Sequence, residues 1–427
     1  MGFVLASCNS SINNKNETSK KEVVAESTLS RKRTPKNISQ KQVAVRKMNQ
    51  PVPAAHLLEN WLPKLQGKTV GIVSNQTSVI NTGKVIKSKE WDKEERVVFT
   101  HLVDTLLSRG ITVQSVFAPE HGFRGTADAG ASIKDGLDEK TGLPIISLYG
   151  NNKKPEVAQL AGLDLVVFDI QDVGARFYTY ISTLHYVMEA CAEQGIPILV
   201  LDRPNPNGHY IDGPILEKEH VSFVGMHPVP VVHGMTIGEY AKMINGEGWL
   251  NNGLQADLEV IQCEKYTHET PYHLPINPSP NLPNDQAINL YPSLCFFEGT
   301  EVSVGRGTDM QFQVYGSPSL AKYNEFSFTP TPSPGAKRPK FNSKRCFGVD
   351  LREHQRLNYL KIDFVVDAFA KAPYKENFFN SFFTKLAGTE KLQAQIKNGM
   401  SAEEISANWA DGLEEYSEIR NKYLLYP

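Results

Sequence analysis

The sequence predicts an α/β protein: a doubly wound, mostly parallel sheet, followed in the chain by a smaller α+β domain. Three observations carry that reading. Continuous apolar runs such as Asp164-Leu-Val-Val-Phe168 and Pro197-Ile-Leu-Val-Leu201 read as strands buried on both faces, and such strands belong to parallel sheets covered by helices. Strand-like and helix-like segments alternate from residue 68 to residue 262, the pattern of βαβ units. Several of the apolar runs also end in a burst of charged and amide side chains, and open parallel sheets bind ligands beyond the carboxyl ends of their strands.

At 427 residues, 40% hydrophobic and 22% charged, the composition suits a globular chain of roughly two or three domains with a sizeable core. Residues 1–50 differ from the rest. They are rich in Ser, Asn, Lys and Thr, poor in large apolar side chains, and unable to bury enough surface to fold. They carry ten Lys/Arg against three Asp/Glu, which leaves 35 basic and 44 acidic residues for an acidic body that disfavours a nucleic-acid partner. Leu5-Ala-Ser-Cys8 looks like a bacterial lipobox with a shortened apolar stretch before it. It reads as a truncated lipoprotein signal with a lipid anchor at Cys8 and a disordered basic tether, placing the chain in the cell envelope as a periplasmic or membrane-anchored lipoprotein.

Folding is expected from Pro51, with a short helix over 56–66 and a first strand over 68–73 that ends in Ser74-Asn75-Gln76-Thr77. Leu102, Val103, Leu106 and Leu107 recur at helical spacing within 100–109, and Gly110 closes that helix. Strands follow at 112–117 and 144–148, a short helix at 155–161, a strand at 164–168, a helix at 182–194 and a strand at 197–201. Thr236 caps a helix over 237–245, with Glu239 completing a capping box, before a strand at 257–262. These elements make a Rossmann-like domain over 51–265. The Pro-rich Asn277-Pro-Ser-Pro-Asn281, a basic Pro- and Ser-rich insertion over 326–345, and a helical last fifty residues make the smaller α+β domain, 266–427. Cys191, Cys263, Cys295 and Cys346 show no metal or disulfide spacing and read as buried free thiols. No stretch reaches about 18 apolar residues.

The strand ends deliver Asn75, Glu120 with His121, Asp169 with Asp172, and Asp202 with Arg203 and Asn205 to one edge. There is no Gly-x-Gly-x-x-Gly after the first strand and no Walker loop, so a nucleotide cofactor is disfavoured; no His-Glu-x-x-His occurs, and no metal is expected. Glu120 and His121, adjacent on a strand end, should point to opposite sides. Several carboxylates at one rim suit glycoside hydrolysis, with one acid protonating the leaving oxygen and a second stabilising or attacking the anomeric carbon. Glu120 is the first choice for the acid; its alternative is a rim salt bridge with Arg124 or Arg176. Asp172 is either catalytic or a helix cap. Arg176, Tyr178 and Tyr180 read as ligand contacts or as packing, and Asp202-Arg203-Pro204-Asn205 as site or as an Asp-Arg turn. Arg306, between two glycines, either grips a carboxylate or sits in a tight hairpin. His233 is open in the same way.

Six blocks in register then carry a resemblance: Ala118-Pro-Glu-His-Gly-Phe-Arg-Gly125, Phe168-Asp-Ile-Gln-Asp-Val-Gly-Ala-Arg-Phe-Tyr-Thr-Tyr180, Leu201-Asp-Arg-Pro-Asn-Pro206, His233-Gly-Met-Thr236, Pro278-Ser-Pro-Asn281 and Gly305-Arg-Gly-Thr308. Together they resemble the exo-β-N-acetylmuramidase family. The resemblance implies release of N-acetylmuramic acid from the non-reducing end of peptidoglycan fragments, with a saccharide of the MurNAc-GlcNAc type as partner and no cofactor. It implies Glu120, Asp169 and Asp172 as catalytic groups. Asn75, His121, Arg124, Gln171, Arg176, Tyr178, Tyr180, Asp202, Arg203, Asn205, His233, Asn281, Glu298 and Arg306 become the candidate substrate contacts, with Arg176, Arg203 or Arg306 clamping the lactyl carboxylate. Asp169 or Asp172 could instead orient the 2-acetamido group for substrate assistance. Two rival functions remain on the same residues: a non-catalytic peptidoglycan-binding lipoprotein, and an esterase or amidase, for which no Gly-x-Ser-x-Gly elbow occurs.

Overall fold

A computed structural model describes residues 50–87, 95–124 and 135–427. Cys8 and the tether up to residue 49 lie outside the described residues. The first strand, β1 (Thr69–Ser74), is followed by a hairpin of β2 (Val79–Lys87) and β3 (Glu95–His101), which pair antiparallel as a separate two-stranded sheet. Then come β4 (Thr112–Ala118), β5 (Gly136–Leu137), β6 (Pro144–Ser147), β7 (Leu165–Asp169), β8 (Ile198–Leu201) and β9 (Leu258–Ile261). They join β1 in a seven-stranded sheet of order β5-β6-β4-β1-β7-β8-β9. Every pairing is parallel except β5 with β6. The winding thus runs outward from β1 through β4 to β6, returns, and runs the other way through β7, β8 and β9, which is the doubly wound order.

Helices cover both faces, and the strand pleat divides the core accordingly. Val166 and Phe168 of β7 enter one apolar cluster with Leu184, Val187 and Met188 of the helix Tyr180–Gln194. Their neighbours Leu165 and Val167 enter another with Leu102, Val103 and Leu106 of the helix Leu102–Ser108. Successive side chains leave a strand on opposite faces, so a five-residue run buried throughout needs both layers. The expected capping box holds: Thr236 Oγ1 accepts from Glu239 N, and Glu239 Oε2 accepts from Thr236 N at 2.8 Å. The helix expected from residue 100 begins at Leu102, because β3 runs to His101, whose ring Nδ1 caps it by accepting from Val103 N at 3.2 Å.

The second half of the chain adds a three-stranded antiparallel sheet of β10 (Val314–Ser317), β11 (Ser327–Phe328) and β12 (Cys346–Asp350), ordered β10-β12-β11. Five helices follow, from Asp363–Lys371 to Ala410–Asn421. The larger apolar cluster continues without a break from Val73 to Tyr416, so the two halves share core. All four expected thiols are buried and free.

Candidate active site

The segments that follow β4, β6 and β7 border a cavity of about 680 Å³. β4 stops at Ala118, and Pro119 hands the chain to Glu120 on the cavity wall. His121 (φ 71°) and Gly122 (φ 77°) are both left-handed. A histidine is uncommon in that region, and here it abolishes the pleat's alternation: Glu120 and His121, expected to point to opposite sides, both line the cavity. Tyr149, just past the end of β6, donates its hydroxyl to Glu120 Oε1 at 3.0 Å, and Thr179 Oγ1 donates to Oε2 at 2.8 Å. Burial and then the charge of Glu120 push the Tyr149 phenol well above its usual range, so it stays a donor. Both of these partners are hydroxyl donors.

The rest of the wall comes largely from the second half of the chain. Tyr291 is edge-to-face with Phe177, Tyr178 and Phe312 at centroid separations of 5.4, 5.7 and 5.0 Å, and all four rings line the cavity. Glu298 Oε1 accepts from Arg306 Nε at 3.1 Å, and the Arg306 guanidinium lies 5.1 Å from the Phe312 ring centre. Asn281 donates Nδ2 to the Gly335 carbonyl at 2.8 Å, and its buried Oδ1 has no hydrogen-bond partner among the described residues. A buried amide oxygen left open beside a cavity is suited to a ligand N–H or O–H. Among the described residues, no group of three His, Cys, Asp or Glu side chains is placed to hold a metal ion.

Glu120, His121, Tyr178, Asn281, Glu298 and Arg306 are thus brought together around one cavity. The other expected site residues are not among those that line it, and their partners explain why. Asp169 and Arg203 form a fully buried bidentate pair, Nε to Oδ1 at 2.6 Å and Nη2 to Oδ2 at 2.9 Å, across the ends of neighbouring β7 and β8. Asp172 Oδ2 accepts from Gly174 N at 2.6 Å and lies 3.4 Å from His233 Nε2; it fastens a turn and does not cap a helix. Gly174 is left-handed, and Asn205 would sit 2.5 Å from any Cβ placed there, so only glycine fits. Asn75 Oδ1 closes its own turn on Thr77 N and Oγ1, Gln171 Nε2 donates to the Asp172 and Pro204 carbonyls, and Asn205 Nδ2 to that of Met235. Arg124 is held by Asp138 and Asp104. Tyr178 and Tyr180 both direct their hydroxyls to the Pro278 carbonyl, at 2.8 and 3.4 Å, and dock the Pro-rich segment on the strand ends.

Arg176 departs furthest from expectation. It is completely buried and meets no carboxylate: its Nη1 donates to the Pro214 and Val229 carbonyls and its Nη2 to those of Leu386 and Ala387. Burial pushes its pKa down to about 9. It joins the parallel-sheet half to the helical half and is not among the residues that line the cavity.

Asp202 is likewise structural. It accepts from Arg203 N, Gly238 N, Thr236 Oγ1 and Tyr426 Oη at 2.6–2.9 Å, fixing both a helix start and the chain's C-terminal segment. Burial pushes its carboxyl up to about 7, against the pull of those donors. The folded chain then holds this proton more tightly than the unfolded chain, whose Asp titrates near 3.9. Stability tied to the group is therefore lost as pH rises between about 4 and about 7. Asp202→Asn does not titrate, so its Tm should gain on the wild type's as pH is raised through that window. A Tm difference independent of pH would contradict the assignment.

Sequence reasoning passed over Tyr149, Thr179 and Tyr291. Tyr149 immediately follows a strand end, so the rule that picked out Glu120 applies to it equally; Thr179 lies inside a motif whose larger neighbours drew the reading.

Two family models together cover most of the described chain. The family model described as "Exo-beta-N-acetylmuramidase NamZ, N-terminal" matches residues 70–286, and its C-terminal counterpart matches 289–426. The chain is 38% identical over 397 residues to the peptidoglycan beta-N-acetylmuramidase NamZ of Bacillus subtilis, covering 87% of this chain and 90% of that protein. Two crystal structures of DUF1343 family proteins from Bacteroides fragilis are similar. One is 43% identical with a TM-score of 0.77, covering 88% of this chain and 99% of the other. The second is 25% identical with a TM-score of 0.73, covering 89% and 100%.

Proposed function

The chain belongs to the exo-β-N-acetylmuramidase family, and from that premise we infer that it is a glycosidase releasing N-acetylmuramic acid from the non-reducing end of peptidoglycan fragments. The observation that supports the reading best is Glu120, at a strand end in the cavity, between two hydroxyl partners.

Cleavage needs a proton on the departing glycosidic oxygen and a group to meet the positive charge that grows on the ring. Glu120 is assigned the first task. Asp169 is taken up by Arg203, and neither it nor Asp172 lines the cavity. Among the described residues the other acid lining the cavity is Glu298, and Arg306 engages it. The residues support a course in which the substrate's own 2-acetamido oxygen attacks the anomeric carbon as Glu120 protonates the departing oxygen. Water then attacks the same carbon, gives its proton to the Glu120 carboxylate and opens the ring so formed to free N-acetylmuramic acid. The open Oδ1 of Asn281 is assigned to a sugar O–H or N–H, and the aromatic walls to the apolar faces of the ring.

Incubation with para-nitrophenyl β-N-acetylmuraminide should release nitrophenol and free N-acetylmuramic acid, and with peptidoglycan fragments the monosaccharide should appear from the first time point. Saturable binding without turnover would instead make the chain a binding module.

A further inference from the structure

We propose that Arg338, in the segment over 326–345, recognises the lactyl carboxylate of the muramic acid substrate and is the residue that sets its specificity. The inference rests on the glycosidase reading above. N-acetylmuramic acid differs from N-acetylglucosamine by one lactyl ether, and the distinguishing charge is its carboxylate. A site that selects for that group needs a cation facing the cavity and free to bind.

Arg176 and Arg203, which the sequence offered for this task, are buried away from the cavity and occupied. Among the described residues, four Lys and Arg side chains line the cavity: Arg306, Lys337, Arg338 and Lys340. Arg306 is ion-paired with Glu298. Lys340 Nζ is turned inward, 2.8 Å from the Phe297 and Thr300 carbonyls and 3.3 Å from those of Glu298 and Val302, and burial lowers its pKa. Lys337 has contacts of its own. Arg338 is exposed and makes no ion pair with any described residue.

The segment that presents Arg338 is fixed. Ser333 and Ala336 exchange backbone hydrogen bonds at 3.0 and 3.1 Å, closing a tight turn. Asn281 Nδ2 holds the Gly335 carbonyl on one side of Arg338, and Lys340 fastens the other to the chain around Glu298. Thr331 N donates to the Gly307 carbonyl at 2.8 Å, and a Cβ on Gly307 would fall 2.8 Å from Pro339, so the segment is seated against the turn that carries Arg306. Anchors on both sides hold the Arg338 backbone at the cavity edge, and a guanidinium there can take a carboxylate through two parallel N–H bonds.

The test compares para-nitrophenyl β-N-acetylmuraminide with the same compound carrying a lactyl methyl amide, for the wild-type chain, Arg338→Gln and Arg338→Lys. Wild type should favour the acid over the amide by about tenfold in kcat/KM, and added salt should erode the preference. Arg338→Gln should bring that ratio near one through a higher KM for the acid, with the amide unaffected; Arg338→Lys should keep part of it. A wild-type chain indifferent to the carboxylate, or a Gln variant that keeps the preference or loses both substrates equally, would overturn the assignment. A wild-type chain inert on both substrates would instead refute the glycosidase reading, and this inference with it.

Discussion

Glu120→Gln is expected to lower kcat on a β-N-acetylmuraminide about a thousandfold while leaving Tm close to that of the wild type. General acid catalysis contributes roughly 10²- to 10⁴-fold, and an amide cannot give up a proton to a leaving oxygen. The fold should tolerate the change because Glu120 lines an open cavity and its contacts with Tyr149 and Thr179 are hydroxyl bonds that an amide side chain can also make. KM should move little, since the contact is required when the bond breaks more than when the sugar binds. Retention of most of the activity would remove Glu120 from the chemistry.

The second large effect is on stability. Asp169→Asn or Arg203→Met should each destabilise the fold by about 3–5 kcal/mol, because each leaves a buried charge without its partner. Removing both charges together should cost less than the sum of the single changes, as the desolvation penalty disappears with the second charge. Denaturant midpoints of the three variants measure this directly. Equal midpoints for Asp169→Asn and wild type, combined with lost turnover, would return Asp169 to the catalytic role that the sequence suggested.

That role was a reasonable expectation, and the pairing of Asp169 with Arg203 shows where reading stops. Leu165–Asp169 was visible as a strand because all five side chains are buried between two helical layers. The polar burst after it was visible too. What the spacing could not show is that β7 and β8 are neighbours whose ends place Arg203 within 2.6 Å of Asp169, so that two apparent site residues satisfy each other. Arg176 makes the same point more sharply: its Nη2 bonds go to carbonyls at 386 and 387, more than 200 positions away, and nothing in the motif around it hints at them. The hairpin of β2 and β3 went unseen because Asn81-Thr-Gly-Lys84 and the charged residues around 88–96 interrupt the apolar alternation that marks a strand. Glu120 was found by the strand-end rule, which depends only on topology. The left-handed turn that brings His121 to the same cavity carries a weaker signal, since histidine adopts a positive φ more often than most side chains but still uncommonly. The segment over 326–345 announced its charge but not its place; only its anchors at Asn281 and Gly307 put it on the cavity wall.

The most direct measurement for the central claim, that Glu120 supplies the proton to the departing oxygen, is the dependence of the Glu120→Gln defect on the leaving group. A dinitrophenolate departs without protonation, whereas a sugar alcohol does not. The defect should therefore be about a thousandfold on a disaccharide and shrink to within about tenfold on dinitrophenyl β-N-acetylmuraminide. An equal loss on both substrates would contradict the assignment.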